Sequence, residues 1–254
     1  MIWIDDQQPL PPTHFALGPG SEAPGLLAIG GRVTLDRLEE AYAMGVFPWY
    51  SPGQPPLWWS PDPRMVLPVA EFKLSHSLRK TLRRFARDSR CEIRIDAGFR
   101  RVMTECAQAP REGQDGTWIV PEIIEAYSAW HRLGRTHSVE TWIDGQLAGG
   151  LYGVNLGRMF FGESMFAHRT DASKIALAAL VAFCRANGIP LIDCQQATRH
   201  LASLGAREIP RTEFEGHVSR MRGAPPPQRW TYDRGLWAQL GIEVDAGADA
   251  TGHE

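Results

Sequence analysis

The 254-residue sequence is 43% hydrophobic and 22% charged, carries a formal net charge of −2 and contains 4 cysteines. It is long and apolar enough for one large domain plus a smaller one, and no apolar run approaches the roughly 20 residues that cross a bilayer. The near-neutral balance argues against a general nucleic-acid coat. Cys91, Cys106, Cys184 and Cys194 lie far apart without a CxxC pair, which argues against both a zinc site and a disulfide framework, so no metal is expected.

Residues 1–24 hold five of the nineteen prolines and little periodicity, so they read as an extended, loosely packed arm. Asp5 and Asp6 stand where a secretory signal would need positive charge, and the chain is expected to stay in the cytosol without membrane contact. Residues 25–31 form a short buried segment ending in a tight turn; with no Lys-Ser/Thr after its glycines it is not a phosphate loop. Thr34 caps a helix through Met44, with Val33 and Leu38 as a hydrophobic staple and Gly45 as its stop. Residues 47–50 and 57–64 are rigid with proline and loaded with aromatics, a pattern read as non-repetitive loop, with a domain boundary near Arg64.

Residues 75–86 form a basic helix with Arg79, Lys80, Arg83, Arg84 and Arg87 on one broad face. Across residues 79–101 nine Arg/Lys face three Asp/Glu, a local positive excess on an acidic body that suits a localised polyanion. Phe99, Val102, Met103, Cys106 and Ala107 keep a helical stripe that ends before Pro110. A polar loop over residues 113–117 leads to Trp118, and Pro121 starts a helix facing Ile123, Ile124, Tyr127 and Trp130 inward until Gly134.

The stretch from His137 to Gln195 organises the rest. Residues 138–143 and 146–154 alternate as strands around the hairpin signal Asp144-Gly145, and a turn at 155–157 leads to a third strand over 158–162. Ile175, Ala176, Ala179, Leu180, Phe183 and Cys184 recur at helical spacing and Asn187-Gly188 closes that helix. Residues 191–195 are a short buried strand. Residues 198–204 and 212–221 are helical, and residues 224–254 form a tail anchored by Trp230, Tyr232 and Trp237, its last dozen residues disordered.

Asp193 and Gln195 are two apart, so strand alternation puts both on one face. A carboxylate and an amide in an apolar strand need partners. Either they bond each other as a structural pair, or they belong to a reaction centre beside Gly162, Glu163, Ser164, Met165 and Phe166.

Three strands, a helix and a further strand, preceded by two helices, is the order of a GNAT-like acyltransferase core. Periodicity alone supports an α+β fold: a small N-terminal domain (1–64), then a domain (65–223) with a mixed, mostly antiparallel sheet flanked by helices, then the tail (224–254). The turn over 167–174 lacks the glycines that hold a pyrophosphate at a helix N-terminus, so coenzyme A is not expected as donor.

The strings at 25–31, 45–50, 58–64, 116–119, 137–140, 149–154, 162–166 and 192–195 together resemble the bacterial leucyl/phenylalanyl-tRNA–protein transferases over about residues 24–222. Ala167, Arg32 and Thr198 depart from that family's usual Ser, Asp and Asn. The resemblance implies transfer of Leu, Phe or Met from an aminoacyl-tRNA to the N-terminal Arg or Lys of a protein, feeding N-end-rule degradation, by a monomer without cofactor. It implies Asp193 and Gln195 as a catalytic relay and Glu163 as the acceptor-reading carboxylate. Trp49 and Trp118 would wall in the terminal adenosine, and Leu151, Phe160, Ala176, Leu177, Leu180, Ile192 and Cys194 would hold the donor side chain.

The chemistry fits, because an amine replacing an ester by an amide needs no ATP or metal; it needs positioning, loss of the amine proton and oxyanion stabilisation. Gln195 would serve through either its amide N–H or its carbonyl. Two rivals remain: an acyltransferase with another acyl donor, and a non-catalytic tRNA-binding module.

Overall fold

In a computed structural model that describes residues 1–109 and 117–244, the chain builds two sheets. β1 (Trp3–Ile4) runs parallel to β2 (Leu26–Gly30). α1 (Leu35–Ala43) follows, its N-terminus closed by the Thr34 hydroxyl, which accepts from the Arg37 N–H. The Arg37 guanidinium donates to Gln8 O at 2.5 Å. With Ile4, Leu10 and Ala16 buried, the first 24 residues are therefore tied down, against the loose arm that their prolines suggested. β3 (Phe47–Pro48) and β4 (Leu57–Trp59) complete the order β1-β2-β4-β3. The aromatic loop thus contains short ladders after all, and Pro48 is tolerated because β3 is an edge strand.

The second sheet has seven strands. β5 (Arg64–Pro68) precedes α2 (His76–Arg87), β6 (Cys91–Ile95) and α3 (Phe99–Gln108). α4 (Pro121–His131) leads into the meander β7 (Thr136–Ile143), β8 (Gln146–Leu156) and β9 (Met159–Ala167). α5 (Ala172–Ala186), β10 (Leu191–Gln195), α6 (Arg199–Ser203), β11 (Arg207–Ile209) and α7 (Arg211–Met221) close it. The order is β11-β5-β10-β9-β8-β7-β6, antiparallel except for the β9–β10 pair, so the fold is α+β with a mixed sheet. β5 and β6 were not expected. Charges at Glu92 and Arg94 masked the alternation of Cys91, Ile93 and Ile95 in β6.

Strand alternation divides the core. Val66, Tyr152 and Phe161 join a cluster with α1, α3, α4, α7 and the first sheet, whereas Met65, Leu151 and Phe160 join one with α2 and α5. Asp144 and Gly145, both at positive φ (55° and 70°), make the hairpin turn that their types announce. α5 is apolar on nearly every side because it lies between the sheet and a 3-10 run at Arg234–Leu240, whose Trp237 is buried. The expected polar loop at 113–117, except Thr117, and the expected disorder at the C-terminus, from 245 onward, lie outside the described residues. Among the described residues no helix is long and apolar enough to cross a membrane.

Candidate active site

β9 and β10 lie side by side, and each carries a bulge at the same level. Ser164 faces Tyr152 and Gly162 faces Gly153, which leaves Glu163 as the extra residue of β9. Asp193 faces Val66 and Gln195 faces Met65, which leaves Cys194 as the extra residue of β10. Gln195 reaches this position at φ 61°, a left-handed conformation uncommon for a residue with a side chain. Bulges re-aim side chains out of simple alternation. The expectation that Asp193 and Gln195 share a strand face therefore fails at the point where it mattered.

Asp193 is fully buried and bound in two-point fashion by Arg64, with Nε donating to Oδ1 at 2.8 Å and Nη2 to Oδ2 at 2.6 Å. The guanidinium lies over the rings of Phe47 and Phe214, 4.8 Å and 4.5 Å from their centroids. Asp193 Oδ1 also accepts the Gln195 backbone N–H at 2.9 Å, so the carboxylate clamps the bulge. Its bond to Gln195 is to the backbone alone; the Gln195 side-chain amide donates to Glu163 Oε1 at 2.9 Å.

Glu163 is 9% exposed. Its Oε1 also accepts from the Tyr42 hydroxyl at 2.6 Å, and Tyr42 is 2.5 Å from the Tyr127 hydroxyl, which leaves Tyr127 to donate to Tyr42. Neither Arg169 nor Arg211 holds it: Arg169 pairs with Asp144, and Arg211 lies within reach of Glu215. Glu163 Oε2 is buried with no hydrogen-bond partner among the described residues. Burial, and then the charge of Asp193, push the carboxyl up to about 8 despite the opposing hydrogen bonds and Arg64. Burial likewise raises both tyrosines well above their ordinary value.

These groups meet at a cleft of about 560 Å³. Its inner wall is apolar, made by Leu151, Met165, Leu177, Leu180, Ile192 and Cys194, and Gly162 and Ser164 lie beside Glu163 on the same lining. Trp49 and Trp118 stand on its lining with Phe47. Of the residues singled out from the sequence, Phe160, Ala176 and Phe166 are buried and lie behind this lining rather than on it. Arg79, Lys80, Arg83, Arg84 and Arg87 line a separate open depression along α2. The basic stretch is not uniform, because Arg90, Arg94, Arg100 and Arg101 are spent on Asp88, Glu92, Glu125 and Glu105.

Sequence reasoning missed three members of the network. Arg64 closes an aromatic string that drew attention for its rings, Tyr127 was read as an ordinary inward residue of α4, and Tyr42 was passed over within α1. Their spacing from Glu163 in sequence carries no signal.

The description "Leucyl/phenylalanyl-tRNA protein transferase" belongs to a family whose model matches residues 66–219, and a model of its N-terminal domain matches residues 31–62. The chain belongs to the leucyl/phenylalanyl-tRNA–protein transferase family. A transferase of that name from Methylibium petroleiphilum is 69% identical over 97% of this chain and 93% of its own length. Those from Leptothrix cholodnii and Cupriavidus taiwanensis are 63% and 60% identical, each over 94% of this chain and over 94% and 96% of their own. Tyr42 and Trp49 lie inside the N-terminal match of this transferase family, and Tyr127, Glu163, Asp193 and Gln195 inside the longer one. Arg64 falls between the two.

Proposed function

We propose that this chain transfers Leu, Phe or Met from the 3′ ester of an aminoacyl-tRNA to the N-terminal Arg or Lys of a protein, as a monomer in the cytosol, and so marks that protein for N-end-rule degradation. The observation that carries this reading is one cleft whose apolar inner wall meets the polar group Glu163, Asp193 and Gln195. The apolar side takes the donor side chain and sorts it by shape, since hydrocarbon walls discriminate by only about 1–3 kcal/mol per methylene. Leu151, Leu177, Leu180, Ile192 and Cys194 face that side chain, with Phe160 and Ala176 supporting them from behind. Ser164, Met165 and Phe166 exclude water next to Glu163, which reads the positively charged acceptor.

Trp49 and Trp118 take the faces of the terminal adenosine, and the exposed basic side of α2 takes acceptor-stem phosphates. Gln195 is held by the clamp on its backbone and donates one amide N–H to Glu163, which leaves its second N–H and its carbonyl to orient the oxyanion or the attacking amine.

The test is incubation with leucyl-tRNA and a peptide beginning with Arg, read by mass. A gain of one leucyl residue on the peptide is expected. Turnover only with an acyl-coenzyme A would indicate an acyltransferase of another kind, and an ester that persists in the presence of protein and peptide would indicate a binding module.

A further inference from the structure

We infer that Glu163 is the group that takes the proton from the acceptor's α-ammonium, held by the buried pair Tyr42 and Tyr127, and that Asp193 is a positioning residue. This rests on the aminoacyl-transfer reading above and assigns the acceptor-reading carboxylate to the α-nitrogen rather than to the Arg or Lys side chain.

Asp193 is poorly placed to relay charge. Both its oxygens are engaged by Arg64, one also by the Gln195 N–H, and it has no exposed surface. Gln195 is an amide and has no basic site at neutral pH. Glu163 lines the cleft with 9% of its surface exposed, accepts through Oε1 from Tyr42 and Gln195, and leaves the buried Oε2 without a partner among the described residues, so a proton there displaces no bond already made. The groups that face it are Tyr42 from α1, Tyr127 from α4, Arg64 from β5 and Asp193 from β10. Their net effect with burial brings the carboxyl to about 8, which matches an α-ammonium at about 8. Proton transfer between matched groups is close to thermoneutral, the condition under which a general base works best.

The step balances as follows. Ionised Glu163 accepts one proton from the α-ammonium, and the nitrogen lone pair attacks the ester carbonyl carbon to form the C–N bond. The C–O bond to the terminal ribose then breaks, the second nitrogen proton leaves with the ribose oxygen as its hydroxyl, and Glu163 returns its proton to solvent. No oxidant, nucleotide or metal enters the balance.

The experiment is single-turnover transfer from leucyl-tRNA at saturating acceptor, comparing an Arg-initiated peptide with the same peptide ending in an aminooxy group, which is unprotonated at neutral pH and needs no base before attack. E163Q keeps the size and the acceptor oxygen for Tyr42 and Gln195. At pH 7 it is expected to lose on the order of 10²–10⁴-fold on the amine and far less on the aminooxy acceptor. Y42F removes a hydrogen bond that stabilises the carboxylate, so its acid limb should move to higher pH with the acceptor KM unchanged.

Equal loss of E163Q on both acceptors, a wild-type rate on the amine, or a loss confined to Arg and Lys peptides against uncharged ones would overturn the assignment. So would a Y42F limb that does not move, or the amine-specific loss appearing instead in His200→Gln, at the histidine that also lines the cleft. Failure of the wild-type chain to use leucyl-tRNA at all would instead strike the reading on which this one rests.

Discussion

Two buried carboxyl groups, Asp193 and Glu163, belong to the site, and they are handled in opposite ways. Arg64 and Asp193 neutralise each other with two hydrogen bonds, 1% and 0% exposed. Removing one partner of such a pair strands the other, which typically costs about 3–5 kcal/mol, whereas an apolar pair of similar volume is often tolerated. Asp193→Asn is therefore expected to lose stability of that order in urea unfolding, and Arg64→Met with Asp193→Leu to lose less than the two single changes summed, yet to stay inactive because the Gln195 clamp is gone. Among the described residues no cation pairs directly with Glu163, and burial favours its neutral form. Its folded value lies above the usual carboxylate value, so the stability it contributes is fully present below about pH 4.5 and is lost as pH rises through about 8. Wild-type stability should fall across that window by a few kcal/mol more than that of E163Q. Parallel pH curves for the two proteins would contradict a buried carboxyl that titrates there.

At the scale of elements, the site depends on two adjacent bulges, and glycine sits where the first one turns. A Cβ on Gly153 would come within 2.3 Å of Phe161 O and 2.6 Å of the Phe160 ring. Overpacking of this kind typically costs about 1–3 kcal/mol, and here relief of the clash would push on the strand that carries Glu163. Gly153→Ala is expected to be destabilised by that order and slowed in transfer, with tRNA affinity unchanged. α2 supplies the complementary prediction. Arg83 and Arg84 are exposed on the depression of its basic face, and each lost phosphate contact lowers the log–log salt slope by roughly one unit. The Arg83→Ala, Arg84→Ala double variant should flatten the slope by about two without altering which amino acid is transferred; a slope equal to wild type would return the helix face to plain solvation.

Over the whole molecule, α5 is sealed by the C-terminal segment as well as by the sheet. Trp230 stacks on His137 at 3.7 Å and on Phe183 at 4.6 Å, and Trp237 meets Phe85 and Tyr232 with 2% of its surface exposed. Trp230, Tyr232, Trp237, Leu240 and Ile242 therefore tie this segment to the core behind the cleft. Trp237→Ala should cost about 3–5 kcal/mol in chemical unfolding and broaden donor selection, because Leu177 and Leu180 belong to the helix it supports. A variant that unfolds like wild type would show the segment to be dispensable.

What the amino-acid order determined by itself was local or repetitive. The Asp144-Gly145 turn, the Thr34 cap, the apolar stripe of α3 and the small-residue face of α5 follow from residue types at fixed spacing, as does the family through its strings. Tertiary structure decided everything that depends on distant partners or on departures from period. β6 was hidden because its alternate positions carry charges that pair with one another, and β5 because prolines surround it. Tyr42 and Glu163 are 121 residues apart and Arg64 and Asp193 are 129 apart, and no spacing rule reaches that far. The bulges at Glu163 and Cys194 break the two-residue repeat on which any strand reading rests, so only the folded sheet could show which way Glu163, Asp193 and Gln195 turn.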